Sequence, residues 1–441
     1  MNRNNLLGHV ALALTLVLVA AFAGQVRRWN RQAELLPPPP PAVVEAPPVT
    51  PAEVGDENAE VIVRFRPGTS LEQMERLAAR LNDRLEDQYE YVRGYAVVED
   101  SDGLDAQAVA DEYLSQAEVE WAEPNVRIEL NDPSEEGLMD RLHSSFVERP
   151  NDPMLGEQWG LINTGQRNGR DRADIGAIHA WLKKTTGSED IVVAVLDTGV
   201  DYTHTDLMNN IWLRPETVAA YRDKQLGTID DLHGYNAADN NGDPMDDNGH
   251  GTHCAGIIGA EGNNGRGIAG VNWRVQIMPL KFLGSGGSGT TKDAIEAINY
   301  AIDRKKSGVN LRIISASWGS TARSRALEEA IKRAGEEGIL FVAAAGNSSV
   351  NNDRTPHYPS SYPLPNVLAV AALDRHDALA SFSNFGERSV HVAAPGKEIL
   401  STWLDDDFRE ASGTSMATPM VSGVAALVLA VEPNLTVAEL R

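Results

Sequence analysis

Ile191-Val192-Val193-Ala194-Val195-Leu196-Asp197-Thr198-Gly199 is an unbroken apolar run that ends on an acid and a glycine. A strand with one wet face alternates apolar and polar residues. Six apolar residues in succession instead mark a strand covered on both faces, as in a parallel sheet between helices. Open α/β sheets place their sites at the carboxyl ends of such strands. Asp197 therefore stands where chemistry is expected, although Asp-Thr-Gly also suits a plain turn. A second apolar run, Ile339 to Val342, leads into Ala343-Ala344-Ala345-Gly346-Asn347-Ser348 and puts a side-chain amide in a comparable place.

Two further stretches carry reactive side chains. Asn248-Gly249-His250-Gly251-Thr252-His253-Cys254 brackets His250 with glycines, so the chain can enter a helix with the imidazole uncovered in its first turn. His-x-x-His also fits zinc, but no third Cys/His cluster follows; His253 is read as structural. Gly413-Thr414-Ser415-Met416-Ala417-Thr418-Pro419 sets a serine at the start of a helix that continues over the apolar run Met420 to Val431. Pro419 is expected in the first turn, where no N–H is needed. A serine so placed has a free N–H at the positive end of the helix dipole, suited to a developing oxyanion. The Asn347 amide would supply a second donor. A helix cap is the plain alternative for a lone Gly-Thr-Ser, and the three partner motifs weigh against it.

The four motifs, in the chain order Asp, His, Asn, Ser, resemble those of the subtilisin-like serine proteases, with thermitase-like features, over roughly residues 151 to 441. The order Asp, His, Ser separates that family from chymotrypsin and the α/β-hydrolases. The resemblance implies an α/β fold with a doubly wound, mostly parallel sheet flanked by helices. It makes Ser415 the nucleophile, His250 the general base and Asp197 the group that orients the imidazole. Asn347 and the Ser415 N–H would form the oxyanion hole. It also implies that Gly287, Ser288 and Gly289, in the bare segment after Lys281-Phe282-Leu283, pair with substrate backbone as an edge strand. Ser317, Trp318 and Gly319 would form the opposite wall, with Ser315 where the family often has asparagine. Pro395-Gly396 and the 381–386 segment also match and are read as architectural. His357, before Tyr358-Pro359, falls near the family's specificity pocket.

Calcium is implied by the same resemblance. The side chains of Asp152, Asp206 and Asn264 and the carbonyls of Glu261, Arg266 and Ile268 would hold it. Oxygen donors alone suit Ca²⁺ rather than a softer metal. The acidic run 239–247 either wraps a second hard cation or is a solvated turn.

Upstream the chain is segmented. Residues 1–24 read as a signal peptide or a membrane anchor: an apolar run ends in Ala21-Phe22-Ala23, with Arg27, Arg28 and Arg31 beyond it. Residues 25–57 form a Pro-rich tether. Residues 58–130 read as a small β-α-β-β-α-β-like unit, with strands at 61–65, 91–98 and 119–130 and helices at 71–81 and 106–114. Val119-Glu120-Trp121-Ala122-Glu123-Pro124-Asn125 resembles the last strand of the family's inhibitory prodomains. Residues 131–150 would connect it to the 151–441 peptidase domain and be cut on maturation. Thr436 to Glu439 has capping-box spacing, and the domain is expected to continue past Arg441.

Composition bounds the partners. A net charge of −24 over 441 residues argues against nucleic acid as a partner. Cys254 is the only cysteine, so no intrachain disulfide forms and calcium is the expected stabiliser outside the cell. It is read as a small buried side chain. The reading is a secreted, calcium-stabilised serine endopeptidase acting on protein or peptide substrates, with its own prodomain as inhibitor. It would meet a membrane only if the first segment is retained. A processing protease of the proprotein-convertase type and a non-catalytic scaffold on the same fold are the alternatives.

Overall fold

The computed structural model describes residues 59–89, 92, 94–101, 103–133 and 150–441. The leader or anchor expected at 1–24, the tether and most of the 131–150 connection lie outside the described residues. In the N-terminal unit, strands β1 (Glu60–Phe65), β2 (Arg84–Gln88), β3 (Tyr95–Glu99) and β4 (Val119–Pro124) form an antiparallel sheet in the order β2-β3-β1-β4. Helix α1 (Leu71–Arg80) starts on a Ser70/Gln73 capping box. Helix α2 (Ala106–Leu114) starts on Asp105, whose side chain accepts the Ala108 N–H. Strand periodicity divides the side chains between two faces. Val61, Val63, Phe65, Ala96 and Val98 pack with Met74, Leu77, Val109 and Tyr113 of the helices. Ile62, Tyr95, Val97 and Trp121 face the other way and belong to the main core of the C-terminal domain.

Two expectations need correction here. The strand expected from 91 begins at Tyr95, and 84–88 forms a further strand without a clear apolar alternation to announce it. The 119–130 run is two strands, not one. β4 ends at Pro124, and the Asn125 N–H makes the last bond to β1, donating to the Glu60 carbonyl at 3.0 Å. After Asn125 and Val126, β5 (Arg127–Glu129) enters a different sheet.

The C-terminal domain begins with α3 (Ala177–Lys183), β6 (Gly187–Asp197), β7 (Tyr235–Asn236), α4 (His250–Gly259) and β8 (Arg274–Lys281). It continues through β9 (Ser288–Thr290), α5 (Thr291–Lys306), β10 (Leu311–Ala316), α6 (Arg325–Glu336) and β11 (Leu340–Ala344). Strands β12 (Val367–Leu373) and β13 (Val392–Pro395) and helix α7 (Thr414–Val431) follow. A seven-stranded parallel sheet has the order β13-β12-β11-β10-β6-β8-β7. Along β6, Val192, Ala194 and Leu196 join a cluster with α5 and α6 residues such as Ile295, Ile298, Leu327 and Ile331. Ile191, Val193 and Val195 join the opposite cluster with Ile257 of α4 and Met416, Ala417 and Met420 of α7. Both faces are covered, as the unbroken apolar run requires. From β6 the chain goes first to the β8 side and then crosses to β10, so β6 is the switch point of the sheet. Ligands bind outside the carboxyl ends of strands at such a point, and Asp197 is the last residue of β6.

Helix α7 is apolar and long enough to cross a membrane, but it is largely buried and packs on β6, β10, β11 and β12. Pro419 is its sixth residue rather than part of its first turn. The expected i→i−4 bond to the Ser415 carbonyl is therefore absent, and the Ser317 hydroxyl donates to that carbonyl instead at 2.8 Å.

Candidate active site

Each reactive side chain stands at the end of a regular element. His250 is the first residue of α4. Gly249 turns the chain into that helix at φ +105°, and a side chain there would collide with Trp403. His250 Nδ1 lies 2.7 Å from Asp197 Oδ1. Burial opposes a charge on this imidazole, but the Asp197 carboxylate and a hydrogen bond to Asp132 hold its pKa well above the usual value. Ser415 is the second residue of α7, where a helix leaves the backbone N–H unpaired. The Asn347 amide is oriented by Thr414, whose N–H and hydroxyl donate to its Oδ1 at 2.8 and 2.9 Å. Its Nδ2 is thereby turned toward the cleft.

Chain from the N-terminal unit occupies that cleft. Strand β5 pairs antiparallel with β9, matching Glu129 with Ser288 and Ile128 with Gly289. The Leu130 N–H donates to the Gly287 carbonyl at 2.9 Å. On the other side Glu129 forms an antiparallel bridge with Gly319. The segment thus lies as a middle strand between Gly287-Ser288-Gly289 and the 317–319 wall. Ile128 is buried in the apolar cluster that holds Phe282, Leu283 and Trp318. Only Gly319 of the wall pairs with the strand. Trp318 turns its side chain into the core, donating to the Leu196 carbonyl at 2.8 Å and meeting Phe282 edge-on. Ser317 is buried beneath Ser415.

The Asn131 carbonyl accepts from Asn347 Nδ2 at 2.8 Å. Asp132 follows directly. Its Oδ1 lies 2.7 Å from both Ser415 Oγ and Asn347 Nδ2, and its Oδ2 lies 2.9 Å from His250 Nε2. Asp132 thus sits between the Ser415 hydroxyl and the His250 ring. No feature of the 131–133 sequence signals this, because the contact is made by docking, not by a local motif. Docking is reinforced at two helix starts, where a carboxylate or amide oxygen meets unpaired N–H groups. Glu123 accepts from Ser324 Oγ at 2.6 Å and from the Arg325 and Ala326 N–H groups of α6. Asn125 Oδ1 accepts the Lys292 N–H of α5 at 3.0 Å.

The other singled-out residues have definite places. His253 is buried, its Nε2 3.0 Å from the Ile399 and Arg409 carbonyls. Cys254 is buried next to Asp197 and His250, and burial pushes its thiol up to about 12. A thiol kept protonated is a poor metal ligand, so this trio is the Asp–His pair with a packing sulfur. His357 lies against the α-carbons of Gly319 and Gly346, where any side chain would meet its ring, and burial lowers it to about 4. Ser315 Oγ accepts from Ser422 Oγ at 2.9 Å.

Asp206, fully buried, and Asp152 converge on the 261–268 loop. Asp152 accepts the Asn263 N–H, and Asp206 accepts from Asn264 Nδ2 and the Ile268 N–H. Burial pushes Asp152 up to about 6 and also raises Asp206, and each carboxylate has a further acid nearby. In the 239–247 run, Asp246 binds Thr198, Thr252 and Gly249, while Asp247 pairs with Lys281.

Residues 188–441 match the model of the subtilase family, and residues 57–125 match that of the fervidolysin N-terminal prodomain. The chain belongs to the subtilase family. It is 43% identical over 250 residues to the thermophilic serine proteinase of Bacillus sp. (strain AK1), covering 57% of this chain and 54% of that protein. It is 37% identical over 255 residues to thermitase of Thermoactinomyces vulgaris, covering 58% and 79%. To the halolysin-like extracellular serine protease Nep of Natrialba magadii it is 32% identical over 331 residues, covering 74% and 51%. The chain thus spans about half the length of the Bacillus relative. The N-terminal unit is a prodomain, and the C-terminal domain has the subtilisin-like fold.

Proposed function

We propose that this chain is the precursor of a secreted serine endopeptidase that cleaves peptide bonds through Asp197, His250 and Ser415. The observation that carries the reading is the 127–131 segment. It lies as an added strand with one carbonyl on the Asn347 amide, beside Ser415, in the pose a substrate would take. In the reaction, Ser415 Oγ attacks the carbonyl carbon while His250 Nε2 takes the hydroxyl proton. Asp197 holds Nδ1–H and stabilises the imidazolium. Asn347 Nδ2 and the Ser415 N–H bind the developing oxyanion, the step such donors accelerate most. His250 then protonates the leaving amine, and water releases the acyl group by the reverse sequence. Extracellular action is supported by the likeness to the extracellular serine protease Nep of Natrialba magadii.

Calcium stabilisation belongs to the same proposal. Two buried carboxylates, Asp152 of the 151–153 segment and Asp206, converge on the 261–268 loop beside the Asn264 side chain, and burial raises both acids. A hard cation would relieve that desolvation, held by Asp152, Asp206 and Asn264 with the carbonyls of Glu261, Arg266 and Ile268. It would tie three distant segments together. A fluorophosphonate probe tests the catalytic reading: it should label the mature enzyme at Ser415 alone, and His250→Ala should abolish labelling. Undiminished peptide hydrolysis by Ser415→Ala would end the assignment.

A further inference from the structure

Asp132 is the residue of the precursor that no family motif accounts for. Asn131 presents its carbonyl to the oxyanion donor Asn347, so the next peptide bond, Asn131–Asp132, is the one aligned with Ser415. Upstream the register agrees. Glu129 pairs with Ser288 on one side and Gly319 on the other, and Leu130 is anchored to Gly287. Yet the side chain of Asp132 makes the aligned bond unreactive. Its carboxylate takes the Ser415 hydroxyl on one oxygen and the His250 ring on the other. A nucleophile must share a proton with its base, and here a third group holds both. The same Oδ1 also takes the Asn347 amide that the oxyanion would need. The carboxylate is lodged against Gly413, whose missing side chain leaves it room.

We propose that Asn131–Asp132 is the bond this chain cuts in itself, and that the Asp132 carboxylate is the latch that delays the cut. The proposal rests on the endopeptidase reading above. When Asp132 swings out, the Ser415 hydroxyl passes to His250. Ser415 Oγ bonds to the Asn131 carbonyl carbon, and its proton goes to His250 Nε2. The Asn131–Asp132 C–N bond breaks as that proton is delivered to the Asp132 nitrogen. Water then hydrolyses the Asn131 ester, giving a free Asn131 carboxylate and the restored Ser415 hydroxyl. Asp132 leaves on the new amino terminus, so the latch is removed by the reaction it delays. A charge-assisted network of this kind is stronger than neutral hydrogen bonds.

The test uses the full chain, purified intact and followed in time by mass spectrometry. The first N-terminal fragment to appear should end at Asn131. Asp132→Ala should shorten the half-life of the intact chain by at least about tenfold, since it releases hydrogen bonds to an ionised group. Asp132→Asn, which keeps the shape and loses the charge, should also be faster than wild type. A first fragment ending elsewhere would overturn the site. Wild-type rates in both variants would overturn the latch. Fluorophosphonate labelling of the same samples after maturation separates these outcomes from failure of the endopeptidase reading: if Ser415 labels and the cut lies elsewhere, only the present inference is lost.

Discussion

Pro419 and Ser317 form a pair whose coupling can be measured. Proline at the sixth position of α7 has no N–H for the Ser415 carbonyl, and the buried Ser317 hydroxyl serves it at 2.8 Å. The Cys254 sulfhydryl, at 3.5 Å, is a weak substitute. Ser317→Ala should therefore leave a buried carbonyl without a good partner, at a cost of about 1–3 kcal/mol. For a domain of this size each kcal/mol lowers Tm by roughly 2–4 °C, so the expected drop is roughly 2–12 °C. Pro419→Ala restores an N–H four residues beyond Ser415 and should make the same carbonyl indifferent to Ser317. The double variant should thus be more stable than the sum of the single effects, by about 0.5–3 kcal/mol of coupling. All four proteins would carry Ser415→Ala, which leaves the carbonyl in place and prevents self-digestion during the melt. Strictly additive effects, or a harmless Ser317→Ala, would refute the argument that this proline hands the Ser415 carbonyl to a neighbouring strand end.

Asn347→Ala should lower kcat by about 10²–10³ with KM little changed, the loss measured for the corresponding donor in subtilisin itself; a purely KM effect would remove Asn347 from the oxyanion hole. Chelation of calcium should lower Tm, and Asp206→Ala should mimic it: a cation bound only to the folded state at a hundredfold excess over Kd adds roughly 2.7 kcal/mol, so identical melting curves with and without chelator would dismiss the site. Inhibition by the cleaved prodomain should weaken as pH rises from 6 to 8. Burial and the neighbouring Glu60 push Glu86 up to about 7 at the Lys292 contact, and burial pushes Asp293 up to about 6. A raised carboxyl pKa means the docked state holds protons that the separated state has already lost, so docking is favoured at low pH and opposed as pH passes 7. Glu86→Gln should flatten that dependence, and a pH-independent inhibition constant would contradict it.

How much of this was legible depends on whether a role is set locally or by docking. The alternation-free run before Asp197 required cover on both faces, and the sheet supplies it from α5 and α6 on one side and α4 and α7 on the other. The glycines around His250 could be read because a tight entry into a helix is a local event. The 119–130 run is not one strand because apolar spacing continues across Pro124 while the pairing partner changes from β1 to β9, a change made by docking and not by local pattern. Pro419 is a second such case. A proline four residues after Ser415 fits a helix start, but the Ser317 hydroxyl, 98 positions before Ser415 in the chain, serves the carbonyl left without a donor and makes an interior proline tolerable. Asp132 had no local signal, since its role exists only once β5 has crossed into the cleft.

That crossing gives the two parts of the chain a shared strand with unequal ties. Upstream of Asn131, the β5–β9 ladder, the buried Ile128 and the Glu123 and Asn125 caps hold the segment by contacts that do not involve the Asn131–Asp132 bond. Breaking that bond removes none of them, so a cut precursor should still carry its inhibitor. What the cut does release is the amino-terminal side of the peptidase domain. In the structure Asp152 already accepts the Asn263 N–H and Asn151 already meets the 263–265 loop, so the segment proposed to help hold calcium is in place in the uncut chain. Stability of the catalytic domain and occupancy of its cleft are therefore separable. The first rests on the 151–268 contacts, the second on the strand that β4 hands over at Pro124, and activity should appear only when that strand leaves.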